Sequence, residues 1–198
     1  GFPSKRVGWV PCPVPEASDS AGRSGTYPPT YLLILFPHDG DARMVEQAIK
    51  CLPELSVDVH AVVAIDAGAP DSVEAAERAR RTAAETRVDK RVHCASVTRV
   101  AAIEDAIAQA ELVIVTAETV AGPWHGLRPL RFGKPMLAPH LPLFQDVLLR
   151  GGGVRLVRPS IADHLAACVR AVLANPIGMA EMHDRGIAYA EANTYEAH

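Results

Sequence analysis

The sequence predicts an α/β domain built on a doubly wound parallel sheet of about six strands, and three observations lead there. Short apolar runs recur from Tyr31 to Val157 with a helical stripe between each and the next, the order expected of βαβ units. The central runs, Tyr31-Leu32-Leu33-Ile34-Leu35-Phe36 and Leu112-Val113-Ile114-Val115, are unbroken rather than alternating, as parallel strands covered on both faces are. At 198 residues, 48% hydrophobic and 22% charged, the chain is long enough for one well-buried domain and too short for two full ones.

Taken in order, residues 1–29 are rich in Gly, Pro and Ser and are expected to form a linker, with residues 30–198 as the folded domain. Pro11-Cys12-Pro13-Val14-Pro15 reads as an extended connector, and the Gly1 start, in place of Met, leads us to expect a preceding segment. Strands are expected at 31–36, 58–65, 91–94, 111–116, 134–138 and 154–157. Met44, Val45, Ala48, Ile49 and Leu52 make the stripe of the first helix, and Asp71 with Glu74 reads as a capping box opening the second. Val100, Ile103, Ile107 and Ala110 mark the third, while Leu127 and Leu130 form the apolar face of a short fourth. A fifth helix spans 141–149. Ser160 with Asp163 reads as the cap of a sixth, carrying Ile161, Leu165, Cys168, Val169 and Val172 on one face, and a last helix covers 176–192. Gly151-Gly152-Gly153 falls between a helix and a strand, where glycines end helices, and lacks the Lys-Ser/Thr of a phosphate-binding loop.

Composition narrows the function. The net charge of -3 and the alternation of Arg78, Arg80 and Arg81 with Glu74, Glu77 and Glu85 leave no basic footprint for nucleic acid. Cys12, Cys51, Cys94 and Cys168 form no C-x-x-C pair, so neither a metal site nor a redox pair is expected; reduced thiols point to a cytoplasmic location. No apolar run reaches the length of a membrane span. The G-x-G-x-x-G of a standard dinucleotide-binding dehydrogenase and the G-x-S-x-G elbow of a hydrolase are both missing.

A doubly wound sheet binds ligands at the carboxyl ends of its strands, which gathers loops 37–41, 66–70, 95–99 and 117–125 around one crevice. In the last of these Gly122 is a plausible N-cap and Pro123 a first helical residue, so the N–H groups of Trp124, His125 and Gly126 lie at the positive end of a helix dipole. Such a place suits a phosphate or carboxylate. Each residue has a plainer reading. His125 is either a ligand contact or the neighbour of an anchoring Trp124, and Gly122 and Gly126 serve either close ligand approach or a tight turn. His38, with Asp39 and Gly40, follows the first strand and is either in the crevice or in a solvated turn. His60 and His93 fall on strands and are expected to be packed rather than ligating.

The order of motifs resembles the C-terminal, donor-nucleotide-binding domain of GT-B glycosyltransferases, especially the retaining sucrose-synthase and mannosyltransferase-like group. Val10-Pro11-Cys12-Pro13-Val14 is similar to that family's I-P-N-G-V linker, and Arg91-Val92-His93-Cys94 with Glu111-Leu112-Val113-Ile114-Val115 resembles its RV-x-F and A-D-v-v-v runs. Gly133-Lys134-Pro135-Met136-Leu137-Ala138 looks like its G-x-P-V-I-A strand, and Thr194-Tyr195-Glu196 like its S-W-E. The chain departs from the family at the donor site. Val120 and Arg128 stand where the resemblance implies the two carboxylates of E-x7-E, and Gly40-Asp41 where it implies a phosphate-binding Lys-Gly pair. The resemblance therefore implies a nucleotide sugar as substrate, with no further cofactor, His38, Arg43, Gly122, Trp124, His125, Gly126 and Arg128 as candidate binding residues, and a separate acceptor-binding domain without which the chain does not turn over. The alternative it leaves open is a degenerate scaffold or regulatory domain with the same fold.

Overall fold

The computed structural model describes residues 27–117, 123–158 and 163–193, without the side chains of Val100 and of residues 123–126. Strands β1 (Tyr31–Phe36), β2 (His60–Asp66), β3 (Val92–Val97), β4 (Leu112–Val115), β5 (Met136–Pro139) and β6 (Val154–Val157) form one sheet in the order β3-β2-β1-β4-β5-β6. All neighbouring pairs are parallel. The helices between them are α1 (Ala42–Lys50), α2 (Ser72–Glu85), α3 (Val100–Gln109), α4 (Pro123–Arg131) and α5 (Pro142–Leu149), and α6 (His164–Leu173) and α7 (Pro176–Ala192) follow β6. Each expected strand is present, displaced by up to three residues at its ends, and the expected α/β class is the observed one.

Alternation along each strand sorts the core into two layers. Leu32, Ile34 and Phe36 face α1, α2 and α6, whereas Tyr31, Leu33 and Leu35 face α3, α4 and α5. Every residue of β1 and β4 is buried, which accounts for their unbroken apolar sequences. Outer strand β3 is mostly part-exposed. On it His93 meets His60 of β2, with ring nitrogens 3.0 Å apart and centroids 5.2 Å apart, so the nearly parallel rings lie edge to edge along an N–H···N bond. Loss of solvation, and then the neighbouring His60, hold the His93 imidazolium below its ordinary pKa.

Helix α7 belongs to both layers: Met179 and Met182 pack on the α1 side, and Tyr189 and Ala190 are buried on the α4 side. A Cβ on Gly153 would meet the Met182 carbonyl oxygen at 1.9 Å, so the middle of α7 crosses directly over this glycine. Gly151 and Gly152 end α5 by donating to Leu148 and Val147 carbonyls, so the glycine run is structural, as its position between helix and strand leads one to expect.

Of two expected caps, one does not form and the other falls partly outside the described residues. Asp71 precedes α2 with φ -97° and ψ 18°, away from the extended backbone that directs an N-cap side chain onto the helix, and its carboxylate makes no capping bond. Asp163, not Ser160, adjoins α6; its left-handed backbone (φ 61°) likewise makes no side-chain cap, and Ser160 and Ile161 lie outside the described residues. Of the expected linker only Tyr27 to Pro29 is described, and Tyr27 packs against Tyr31 with ring centroids 5.6 Å apart. Cys51 and Cys168 are buried as expected; burial pushes the Cys51 thiol up to about 12, and Cys12 lies outside the described residues. No single helix among the described residues is long and apolar enough to cross a membrane.

Candidate functional site

The chain reverses its direction of sheet growth between β1 and β4, where the connections leave on opposite faces and a crevice opens at the carboxyl ends. Two loops meet there. Thr116 follows β4 and donates both its N–H (3.1 Å) and its hydroxyl (2.9 Å) to the Leu35 carbonyl of β1. Asp41 N–H donates to the Thr116 carbonyl at 2.5 Å, and Gly40 and Ala117 form an isolated antiparallel bridge. Gly40 is required by this contact: a Cβ there would lie 2.6 Å from the Phe36 ring.

On the β2 side of this junction lies a narrow crevice lined by Leu35, Phe36, Pro37, Ala64 and Val115 from three strands and Ile103 from α3, together with Asp66. Asp66 closes its own turn by accepting the Gly68 N–H at 2.9 Å.

Two helices begin at the junction, and their amino ends differ. Asp41 caps α1, its Oδ1 accepting the Arg43 N–H at 2.8 Å. The Arg43 guanidinium folds back onto the same carboxylate at 3.1 and 3.3 Å, with its side chain 71% exposed. Helix α4 begins on Pro123, as the sequence leads one to expect, and has no acidic residue in its first turn. Trp124, His125 and Gly126 lie in that turn, so the topology carries their backbone to the carboxyl edge of β4. Their side chains, and Gly122 altogether, lie outside the description.

Each candidate residue can thus be located. His38 is exposed in the turn after β1, while Asp39 and Gly40 are part-buried. Arg43 adjoins the junction but is engaged by Asp41. Arg128, in the second turn of α4, is paired through Nη1 with Glu104 of α3. Glu104 is fully buried, and Arg128 is 11% exposed. The sequence reading missed Glu104, Asp41, Thr116 and Asp66. Glu104 carried a signal, because it sits between Ile103 and Ile107 on the apolar stripe of α3, where a solvated charge does not belong. Among the described residues no group of three or more His, Cys, Asp or Glu is arranged to hold a metal ion.

Comparison with solved structures identifies the class of fold. Sucrose-phosphate synthase from Thermosynechococcus elongatus superposes with a TM-score of 0.74 at 16% identity, over 95% of this chain and 49% of that one. HepE of Anabaena, in complex with UDP and glucose, gives 0.71 at 16% identity over 84% of this chain and 45% of that one. The C-terminal domain of the glycosyl transferase group 1 family protein LpcC from Francisella tularensis gives 0.71 at 15% identity, over 92% of this chain and 95% of that one. The chain therefore spans about half the length of the larger neighbours and nearly all of an isolated C-terminal domain, and its fold is the Rossmann-like fold of a GT-B glycosyltransferase half. No protein-family model and no curated protein sequence matches the chain.

Proposed function

We propose that this chain is the donor-side, sugar-nucleotide-binding domain of a divergent GT-B glycosyltransferase of the retaining, sucrose-synthase-like group. The observation that carries the reading is the α4 amino end at the β1/β4 junction, free of acidic residues in its first turn and adjacent in the fold to an apolar crevice with one carboxylate in its lining. In this reading the base enters the crevice lined by Phe36, Pro37, Ile103 and Asp66, and the diphosphate meets the N–H groups of Trp124, His125 and Gly126. Those donors are fixed before the reaction, so they stabilise the charge that grows on the leaving diphosphate without reorganising. The reading adds His38, in the turn after β1, and Gly122, which precedes α4 in the sequence, as further contacts. Arg43 and Arg128 add positive field, but each is already balanced by a carboxylate, so the backbone dipoles carry the larger share. Transfer itself requires an acceptor-binding domain, in the same or another chain, and the reading assigns the whole to the cytoplasm, with the free cysteines as support.

The pairing of both guanidinium groups also favours a second reading, a non-catalytic scaffold with the same fold. Thermal unfolding with UDP-glucose, GDP-mannose and ADP-glucose separates the two. Ligand at a hundredfold excess over Kd adds about 2.7 kcal/mol, a shift of several degrees for a domain of this size. A flat melting temperature with all three at millimolar concentration would reject nucleotide binding and leave the scaffold.

A further inference from the structure

The pair that joins α3 to α4 has a role beyond stability. Pro129 stands inside α4. It has no N–H to offer the carbonyl of His125 four residues earlier, and its ring crowds that carbonyl. The first turn of α4 is therefore less firmly joined to the rest of its helix than an uninterrupted turn would be. Arg128 immediately precedes the proline, and its guanidinium is tied to a carboxylate on another helix, Glu104, that solvent does not reach. Arg128 Nε is buried with no hydrogen-bond partner among the described residues, so the guanidinium is held chiefly from the Glu104 side. Next to Glu104, Ile103 lines the crevice on the β2 side of the junction. One turn of α3 thus touches both parts of the opening.

We propose that Glu104, acting through Arg128, is the positioning residue that fixes the first turn of α4 against the crevice. Its link to ligand binding rests on the nucleotide-sugar reading above; the positioning itself does not. The pair replaces the hold on that turn which Pro129 weakens, and its low exposure makes the constraint directional, because a buried ion pair tolerates few geometries.

The test uses the full chain in two forms, Glu104→Gln and the double variant E104M/R128M. The double variant removes both charges and fills their space, so it is expected to melt near the wild type and guards against a single variant that fails to fold. Amide hydrogen exchange is read without ligand, and binding of UDP-glucose, GDP-mannose and ADP-glucose is read by calorimetry. The expected result is exchange at Leu127 and Arg128, whose N–H groups close the first turn of α4, about tenfold faster in both variants, with β1 and β4 unchanged, and affinity for whichever donor binds the wild type about tenfold weaker. Faster first-turn exchange in a chain that binds none of the three donors supports the positioning and rejects the nucleotide reading. Unchanged first-turn exchange in a folded variant overturns the proposal, whatever the affinities.

Discussion

Helices α1 and α4 follow the two central strands on opposite faces of the sheet, yet one begins with a capping carboxylate and the first turn of the other has no acidic residue. Helix α1 receives the Asp41 carboxylate at its first N–H groups, and Arg43 then covers that carboxylate. Helix α4 has proline at its start, no acid in its first turn, and its side-chain anchoring one turn further along, at Arg128 and Glu104. An anion approaching α1 meets a negative charge already in place; the described first turn of α4 contributes none. Among the described residues the two ends differ by the placement of a single carboxylate, which sets the sign of the field at the start of each helix.

The largest effect that sharpens this contrast is expected from Glu104→Ala. It leaves the Arg128 guanidinium in a buried position without its counter-charge, and breaking such a pair costs about 3–5 kcal/mol. Urea unfolding measures this directly, and a loss under about 1 kcal/mol would mean that Arg128 finds water or another acceptor. A smaller effect is expected from Asp41→Ala, which removes the α1 cap at about 1 kcal/mol. The same substitution removes the negative charge from the α1 donors, so binding of inorganic pyrophosphate should strengthen at low salt. If Asp41→Ala proves as costly as Glu104→Ala, the proposed division of labour between the two helix ends is wrong.

The smallest effect comes from the opposite edge of the domain and serves as a control. His93 has its folded pKa held below the ordinary histidine value by burial and by His60, so it stays neutral in the fold while the unfolded chain takes up a proton. Its contribution is therefore complete above about pH 6.5 and is lost as pH falls through the lowered folded value. Comparison of melting curves at pH 7.5 and 5.5 should show a weaker pH dependence in His93→Gln than in the wild type. First-turn exchange in α4 should be the same in both.

What could be read in the sequence follows from how locally each feature is determined. The strands were legible because β1 and β4 are buried on both faces and carry apolar side chains at every position. Helix stripes were legible for the same reason. The cap at Asp71 was not, because residue identity permits a cap while the backbone angle of the preceding loop decides it. Start of α4 at Pro123 was a local property and was found. The partner of Arg128 lies 24 residues away on a neighbouring helix, and only the roll of α3 against α4 brings them together. Arg43 looked available because a capping carboxylate two residues earlier had not been assigned to its helix.

Helix α7 sets the order in which this domain can be finished. It is the last described element to leave the ribosome, and it alone closes both hydrophobic layers, with Met182 crossing Gly153 and Tyr189 sealing the far side. His183 also lies 2.8 Å through Nδ1 from the Gly133 carbonyl, in the connection leading to β5. A nascent chain ending before Pro176 carries all six strands, but both of its layers lack this cover. The sheet can therefore assemble during synthesis, while resistance to proteolysis should arrive late and in a single step, on both faces at once.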